Sequence, residues 1–350
     1  MSMEIKQTTA AILAQQNQPL VIDEVSLPEN LAVGQVLVEV FFSGICGSQL
    51  GEIAGVKGPD PYLPHLLGHE GSGKVLAIGP GVNSVMVGDH VVLHWRPGSG
   101  IQSVLPRFVW REQLLNAGFV TTFNKHAVVS ENRLTSISKD YPMEFAALFG
   151  CAVTTGIGVV ENKAAVRMGE SVVVVGSGGI GLNVIQGAKL RCASPIVAVD
   201  LFENRVQLAR DIGASHGLVN VDPSWVFQVR DIVGADGADL VVDNTGNPDV
   251  ISQCIELTKA AGKTILIGVP PKGAKTTVNT LPLHFGKVLT GTHGGDGVPD
   301  QDIPRLLGLS QADILDLSKL ITATYSLSEI NSAIDDMRSG KVSGRCLVAM

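Results

Sequence analysis

Residues 172–182 read VVVVGSGGIGL: four valines in a row, then glycines at 176, 178 and 181. An unbroken valine run without polar alternation is the pattern of a strand covered on both faces of a parallel sheet. The glycines have G-x-G-x-x-G spacing, and each has a job. Gly176 permits a tight turn, Gly178 lets the backbone approach a pyrophosphate, and Gly181 lets a helix pack close on the strand. A helix is predicted over Gly179–Leu190, and its first residues, Gly179, Ile180 and Gly181, turn free N–H groups and a positive dipole end towards the phosphates. With 40 glycines in 350 residues, such spacing arises by chance roughly 0.5 times per chain, so its surroundings must decide. Asp200 stands 19 residues after Gly181, at the end of IVAVD. A carboxylate there accepts hydrogen bonds from ribose hydroxyls and repels a 2′-phosphate, which favours NAD over NADP. Arg205, one helical step on, is placed to flank the adenosine. The plainer reading of Asp200 is a cap on the next helix.

Working outward, apolar strand runs alternate with helical patterns. The strands are IVAVD (196–200), LVN (218–220), LVVDNTG (240–246) and KTILIGV (263–269), and the helices cover Gly179–Leu190, Phe202–Asp211 and Pro248–Lys259. This alternation predicts a doubly wound α/β sheet from about residue 154 onward. Upstream, runs rich in Val, Ile and Leu (Val36–Phe42, Gly73–Ile78, His90–Leu93) are separated by Gly, Pro, Asn and Asp, which reads as β-rich. After about residue 290 the pattern breaks at HGGDGVP. Helices are predicted over Asp302–Ser318 and Ser328–Ser339, around a strand-like ITATYSL, and RCLVAM reads as a last strand.

Composition narrows the class. The chain is 45% hydrophobic and 17% charged, as a globular protein is. A net charge of −7 weighs against nucleic acid or an anionic membrane as the main partner. No run of about 18 apolar residues free of charge and glycine occurs. The opening MSMEIKQTTAAILAQQ lacks the basic-then-apolar order of a signal peptide. Five cysteines are an odd and sparse set, fitting a reducing compartment where thiols are core residues, metal ligands or nucleophiles. A cytoplasmic location is therefore expected.

Three glycine-flanked segments offer metal ligands: GICGSQ around Cys46, PHLLGHEGSG around His69 and Glu70, and LFGCAVTTGIG around Cys151. Two sulfurs and an imidazole leave the fourth position of a tetrahedral zinc open for substrate, as a catalytic site requires. Taken singly, a cysteine in an apolar segment is more often a core residue, and a histidine before glutamate a surface or capping one. Spacing does not join the three.

Together these motifs resemble the medium-chain dehydrogenase/reductase family, in its zinc-containing alcohol and polyol dehydrogenase branch. The resemblance spans essentially the whole chain, in order: AAILAQQNQPLVIDEV, GICGSQ, GHEGSG, VGDHVV, GC..TTG, VGSGGIG, VDNTGN, GTHGG and the tail LITATYSLSEINSAIDDMRSGKVSGR. It implies a GroES-like β-rich catalytic domain over 1–153 and 290–350, and a Rossmann cofactor domain over 154–289. It implies one catalytic zinc held by Cys46, His69 and Cys151, with Glu70 behind them or as an alternative ligand. Ser48 is implied as the hydroxyl that takes the substrate proton, and Thr155 as a neighbour of the nicotinamide. Thr245, Val269 in the 268–270 loop and Thr292 in the 291–293 loop are implied in cofactor binding, and Arg345 in reaching the pyrophosphate. The implied activity is hydride transfer between NAD and a small alcohol or polyol, with zinc acidifying the hydroxyl. Relatives form dimers or tetramers through the edge of the cofactor-domain sheet, and KTILIGV is expected near that edge.

Four departures matter. No cysteine lies between Cys46 and Cys151, so the structural zinc of many relatives is expected to be absent. Residues 94–125 carry Trp95, Phe108, Trp110, Phe119 and Phe123 instead, expected to pack that lobe or an interface, with a substrate lid as a further reading. The relay histidine of many relatives falls at Gly51, and the acid expected near it is Gln49, whose side chain is expected to accept a hydrogen bond from His69. His65 and His94 are the substitutes for that relay. Gly47 removes a phosphate contact, and the C-G-S order of Cys46, Gly47 and Ser48 favours a secondary alcohol or polyol. Two other readings stay open. One is a zinc-free quinone or enone reductase of the same superfamily, against which the retained ligands weigh; the other is a non-catalytic NAD-binding protein.

Overall fold

The valine run forms a buried strand, β1 (Val172–Val175), in a computed structural model that describes residues 5–220 and 224–350. It is followed by β2 (Ile196–Asp200), β3 (His216–Val219), β4 (Ala238–Asp243), β5 (Thr258–Leu266) and β6 (Val288–Gly291). All pairings are parallel, in the order β3-β2-β1-β4-β5-β6. The valines of β1 are at most 2% exposed, and each such burial contributes roughly 1.5–3 kcal/mol. Strand order reverses between β1 and β4, the place where open α/β sheets leave a crevice at their carboxyl ends. Helices Gly179–Leu190, Glu203–Ile212, Trp225–Val233 and Pro248–Leu257 connect the strands. The third of these has no counterpart in the sequence reading, although its Trp225 is 1% exposed in the core beside Val173 and Val241. KTILIGV lies next to the edge: Lys263–Leu266 is within β5, and β6 flanks it as the edge strand. The four-residue VLTG of β6 was too short to stand out as a strand in sequence.

The other unit is β-rich. An eleven-residue strand, Gln35–Ile45, runs antiparallel to Glu70–Ile78, to His126–Ser130 and to Arg345–Ala349. His90–His94 and Leu134–Ile137 extend this sheet on one side and Ile321–Ser326 on the other. A second sheet holds the opening hairpin, Gln7–Leu13 against Val21–Ser26, with His65–Leu66, Phe108–Trp110 and Gln113–Leu115. Phe108 and Phe123 are fully buried, Trp110 is 5% exposed and donates its indole N–H to Asp23, and Arg133 stacks on Phe119. The aromatic segment therefore packs its lobe.

By contacts the units are 1–151 with 298–312 and 321–350, and 152–297 with 313–320. The helix predicted over Asp302–Ser318 runs instead from Pro299 to Gln311, and Asp313 then turns left-handed (φ 56°). Among the described residues, no single helix is long and apolar enough to cross a membrane.

His94 is removed from the list of relay groups by its surroundings. It is 1% exposed; its Nδ1 donates to the carbonyl of Arg96 (2.7 Å), and its Nε2 accepts from Thr135 (3.0 Å). Burial pushes its pKa down from 6.5 to about 4, so the ring is neutral and fully hydrogen-bonded at neutral pH. A lowered folded pKa means that this stabilisation is complete above pH 6.5 and is lost as pH falls towards 4, by about 3 kcal/mol in all. His94→Gln should flatten the acid limb of stability. Urea denaturation at a series of pH values checks this, and an equally steep acid limb in the variant would reject the assignment.

Candidate metal centre and cofactor loop

Strand register assembles the metal centre. Ile45 lies opposite Cys346, and Ser43 opposite Gly71, so the end of Gln35–Ile45 delivers Cys46 beside Glu70 and Arg345. Glu70 pairs with His94, and the neighbouring Trp95 N–H donates to Gly150 (3.4 Å), which brings Cys151 to the same end of the sheet. One ligand atom from each of Cys46, His69 and Cys151 lies within 4.8 Å of the other two. Both cysteines are buried and His69 is half-buried. Hydrogen bonding to Cys151 comes first in holding the Cys46 thiol well below 9.0; burial opposes it, and His69 and Arg345 assist. By contrast, burial pushes Cys254 well above its usual value and Cys346 up to about 12. A Cys46 sulfur inclined to thiolate, the Cys151 sulfur and one imidazole, within this spacing, fit a tetrahedral zinc with one open position.

Glu70 is not part of that ligand group. It is fully buried and ion-paired with Arg345, which is 3% exposed. A Cβ on Gly44 would meet the Glu70 carboxylate, so a side chain there would push the pair out of its present position. Arg345, expected to reach a pyrophosphate, has its guanidinium engaged by Glu70 and close enough to Cys46 to favour the thiolate. Gln49 also departs from expectation. Its Oε1 accepts from the backbone N–H of Cys46 (2.9 Å) at the start of helix Gly47–Ile53, because a side chain three residues on curls back to cap that turn. Ser48 is half-buried in the same turn.

The glycine loop behaves as its spacing requires. Gly176 has φ 93°, a Cβ on Gly181 would meet the Gly176 carbonyl at 2.1 Å, and a Cβ on Gly178 would meet nothing within 4 Å. The open space at Gly178 is a cradle a side chain would fill. Gly178 caps helix Gly179–Leu190, with Ile180 in its first turn. Ser177 Oγ, fully buried beside it, has no hydrogen-bond partner, and neither has Thr155 Oγ1, 3% exposed in helix Ala152–Gly158. Asp200 is 6% exposed and joins loop to helix: it accepts from Ser177 N (2.7 Å) and Phe202 N (3.2 Å), with Arg205 at 3.9 Å. Asp200 does not cap the next helix, whose N-cap is Phe202; one of its oxygens steadies the turn before that helix and the other fixes the glycine loop.

Thr245 donates to Asp243 (2.6 Å), a buried carboxylate whose pKa is raised by burial and which also binds the N–H groups of Thr245 and Gly246. Thr292 donates to Asp296 (3.1 Å), and Val269 is 52% exposed. A group the sequence reading missed is Glu52 and Asp60 with His65, whose ligand atoms also lie within 4.8 Å of one another. Only His65 had been singled out, because residues 52, 60 and 65 share no period or motif.

Two domain families match the chain: an alcohol dehydrogenase GroES-like domain over residues 32–139 and a zinc-binding dehydrogenase domain over 179–312. The chain is 33% identical to an S-(hydroxymethyl)glutathione dehydrogenase of Paracoccus denitrificans, over 95% of this chain and 97% of that one. An alcohol dehydrogenase zinc-binding domain protein from Burkholderia ambifaria has a similar structure (TM-score 0.89, 28% identity, 99% of both chains). So has benzyl alcohol dehydrogenase from Acinetobacter calcoaceticus (TM-score 0.88, 29% identity, 99% of this chain and 100% of that one).

Removing one member of the buried pair leaves the other charge uncompensated. Arg345→Met should lower the unfolding free energy by about 3–5 kcal/mol, and adding Glu70→Gln should recover much of that loss. A double-mutant cycle in urea measures both; additive losses would show that the two side chains do not act as a pair.

Proposed function

Because this chain belongs to the zinc-containing alcohol dehydrogenase family, we propose that it oxidises a secondary alcohol or polyol with NAD and reduces the matching ketone or aldehyde in reverse. The observation that carries the reading is the meeting of Cys46, His69 and Cys151 without a fourth protein donor in the group. Zinc bound there supplies Lewis acidity, which lowers the pKa of an alcohol hydroxyl. NAD held by the glycine loop would supply the hydride acceptor for the substrate carbon, so that loss of hydride there and of a proton from the hydroxyl would give a carbonyl compound. Ser48, two residues from Cys46 and half-buried in the same turn, is proposed as the hydroxyl that takes that proton. Gly51 offers no imidazole to pass it on, so the proton leaves through water.

Within the cofactor unit, the cradle at Gly178 and the unpartnered Ser177 hydroxyl support pyrophosphate binding. The unpartnered Thr155 hydroxyl supports a place beside the nicotinamide, with Thr245, Val269 and Thr292 in the loops that enclose the ribose and carboxamide. Asp200 supports NAD over NADP, and Arg205 flanks the adenosine. One zinc per chain is proposed, since the lobe between Cys46 and Cys151 contains no cysteine. The metal ligands require reduced thiols, which supports a cytoplasmic location.

Zinc analysis with a panel of secondary alcohols and polyols tests the reading. Turnover with a zinc bound at the cysteines is expected; Cys46→Ser should abolish nearly all turnover and release that zinc. A fully active, zinc-retaining variant would reject the ligand. In the same assay NADH should bind far better than NADPH, and Asp200→Ala should narrow that gap by about tenfold or more, the scale of 1.4 kcal/mol. Equal affinities in the parent protein would overturn the role of Asp200.

A homodimer or tetramer is proposed through the edge strand β6. Val288 is 40% exposed on it, and Leu281 (63%) and Phe285 (72%) are exposed just before it. Sedimentation should show an oligomer that Phe285→Glu weakens; a monomeric parent protein would reject the interface.

A further inference from the structure

We propose that Glu52, Asp60 and His65 form a second divalent-metal site, with nitrogen and oxygen ligands, in the wall of a pocket that His69 also lines. The pocket has a volume of ≈ 370 Å³. His65 is 7% exposed, and both its ring nitrogens face oxygen acceptors: Nδ1 is 3.0 Å from the carbonyl of Leu66 and Nε2 is 2.8 Å from Asp60 Oδ2. A neutral ring carries one hydrogen and can donate to only one of these two acceptors; the metal-binding tautomer is the one in which Nδ1 donates to the carbonyl. In that tautomer Nε2 presents a lone pair to a carboxylate oxygen, and two lone pairs meet at this distance only across a cation, either a proton or a metal ion. An imidazole whose second nitrogen donates to a backbone carbonyl is also the arrangement that orients metal-binding histidines.

The site is held from several sides. His65 pairs with Leu13 in the β-sheet, and the other oxygen of Asp60 accepts from the backbone N–H of Tyr62 (2.8 Å). These contacts leave Asp60 Oδ2 facing the ring. The Glu52 carboxylate completes the group within 4.8 Å. The edge of an octahedron with ligands at about 2.1 Å is roughly 3 Å, so an ion replacing the proton would need little movement.

Charge and unpartnered polar atoms favour the same conclusion. The pocket lining includes Glu52 and Asp60 but no lysine or arginine, so no fixed cation offsets the two carboxylates grouped with the His65 imidazole. A divalent ion balances them where a single proton does not. Gln49, 1% exposed, lines this pocket with Oε1 taken by Cys46 and Nε2 unpartnered. Thr121, 2% exposed, lines it with an unpartnered Oγ1. They offer an amide donor and a hydroxyl to an oxygen-bearing ligand in the pocket. The donor set is hard, unlike the two sulfurs at the first site, and selects ions such as Mn²⁺ that thiolate sites bind poorly.

Titrating the zinc-loaded protein with Mn²⁺, and following free Mn²⁺ by electron paramagnetic resonance, tests the proposal without reference to turnover. One Mn²⁺ per chain is expected to bind with the zinc content unchanged. Asp60→Asn and His65→Gln should each weaken that binding by roughly tenfold or more while zinc is retained. Glu52→Gln, at a half-buried position on the short helix, should do the same and is the variant least able to disturb folding. No saturable Mn²⁺ binding, binding that displaces zinc, or binding unchanged in all folded variants would overturn the site. Mn²⁺ that displaces zinc would itself show that the cysteine site holds a metal, and the other two outcomes leave zinc in place, so this failure is distinct from failure of the dehydrogenase reading.

Discussion

A buried carboxylate that must remain charged constrains the β-rich unit more than any other feature. Glu70 has no access to water, and an isolated ionised carboxylate in such a place costs several kcal/mol. Arg345 supplies the opposite charge from a strand far away in sequence. For the two to meet, Gln35–Ile45 must lie between Glu70–Ile78 and Arg345–Ala349, and Gly44 must lack a side chain where the pair crosses it. Cys46 follows that strand directly, and His69 precedes Glu70. The metal ligands are therefore placed by the electrostatics beneath them. The positive charge of Arg345 also acts on Cys46, so the same pairing that settles the sheet favours the thiolate a metal requires.

The cofactor unit depends on a different constraint, the close approach of backbone to backbone. Gly181 stands so near the carbonyl of Gly176 that no side chain could intervene. This fixes helix Gly179–Leu190 against β1 and leaves its amide groups free at the loop. Asp200 reinforces the arrangement by accepting from the Ser177 amide, tying the end of β2 to the loop after β1. A residue read from sequence as a ligand-binding carboxylate is thus also part of the scaffold, because its second oxygen and its position allow both.

Much of this was legible because it is local. The valine run, the glycine spacing and the alternation of strand with helix record burial and turn geometry within short windows. Helix Trp225–Val233 was missed although its tryptophan is buried, and β6 was missed because four residues carry too little pattern. The tail helix was drawn seven residues too long at its end, since nothing local announced the left-handed turn at Asp313. At the metal centre the ligand types were readable, but their meeting was known only through resemblance. The partners that Arg345 and Gln49 take within their own unit were not legible, for a physical reason. A long polar side chain has several acceptors within reach, and only the folded register selects among them. Glu52 and Asp60 were invisible for the same reason, being joined to His65 by a loop with no period.

The pairing of Glu70 with Arg345 has a consequence for how the protein is made. The entire cofactor unit is translated between those two residues. A growing chain on the ribosome already contains all three cysteine and histidine ligands long before the guanidinium that settles Glu70 emerges. During that interval the ligands have no completed sheet behind them. Completion of the ligand cradle therefore waits on a strand made after the whole cofactor unit, Arg345–Ala349, whose docking gives Glu70 its opposite charge and Gln35–Ile45 its second neighbour at that end.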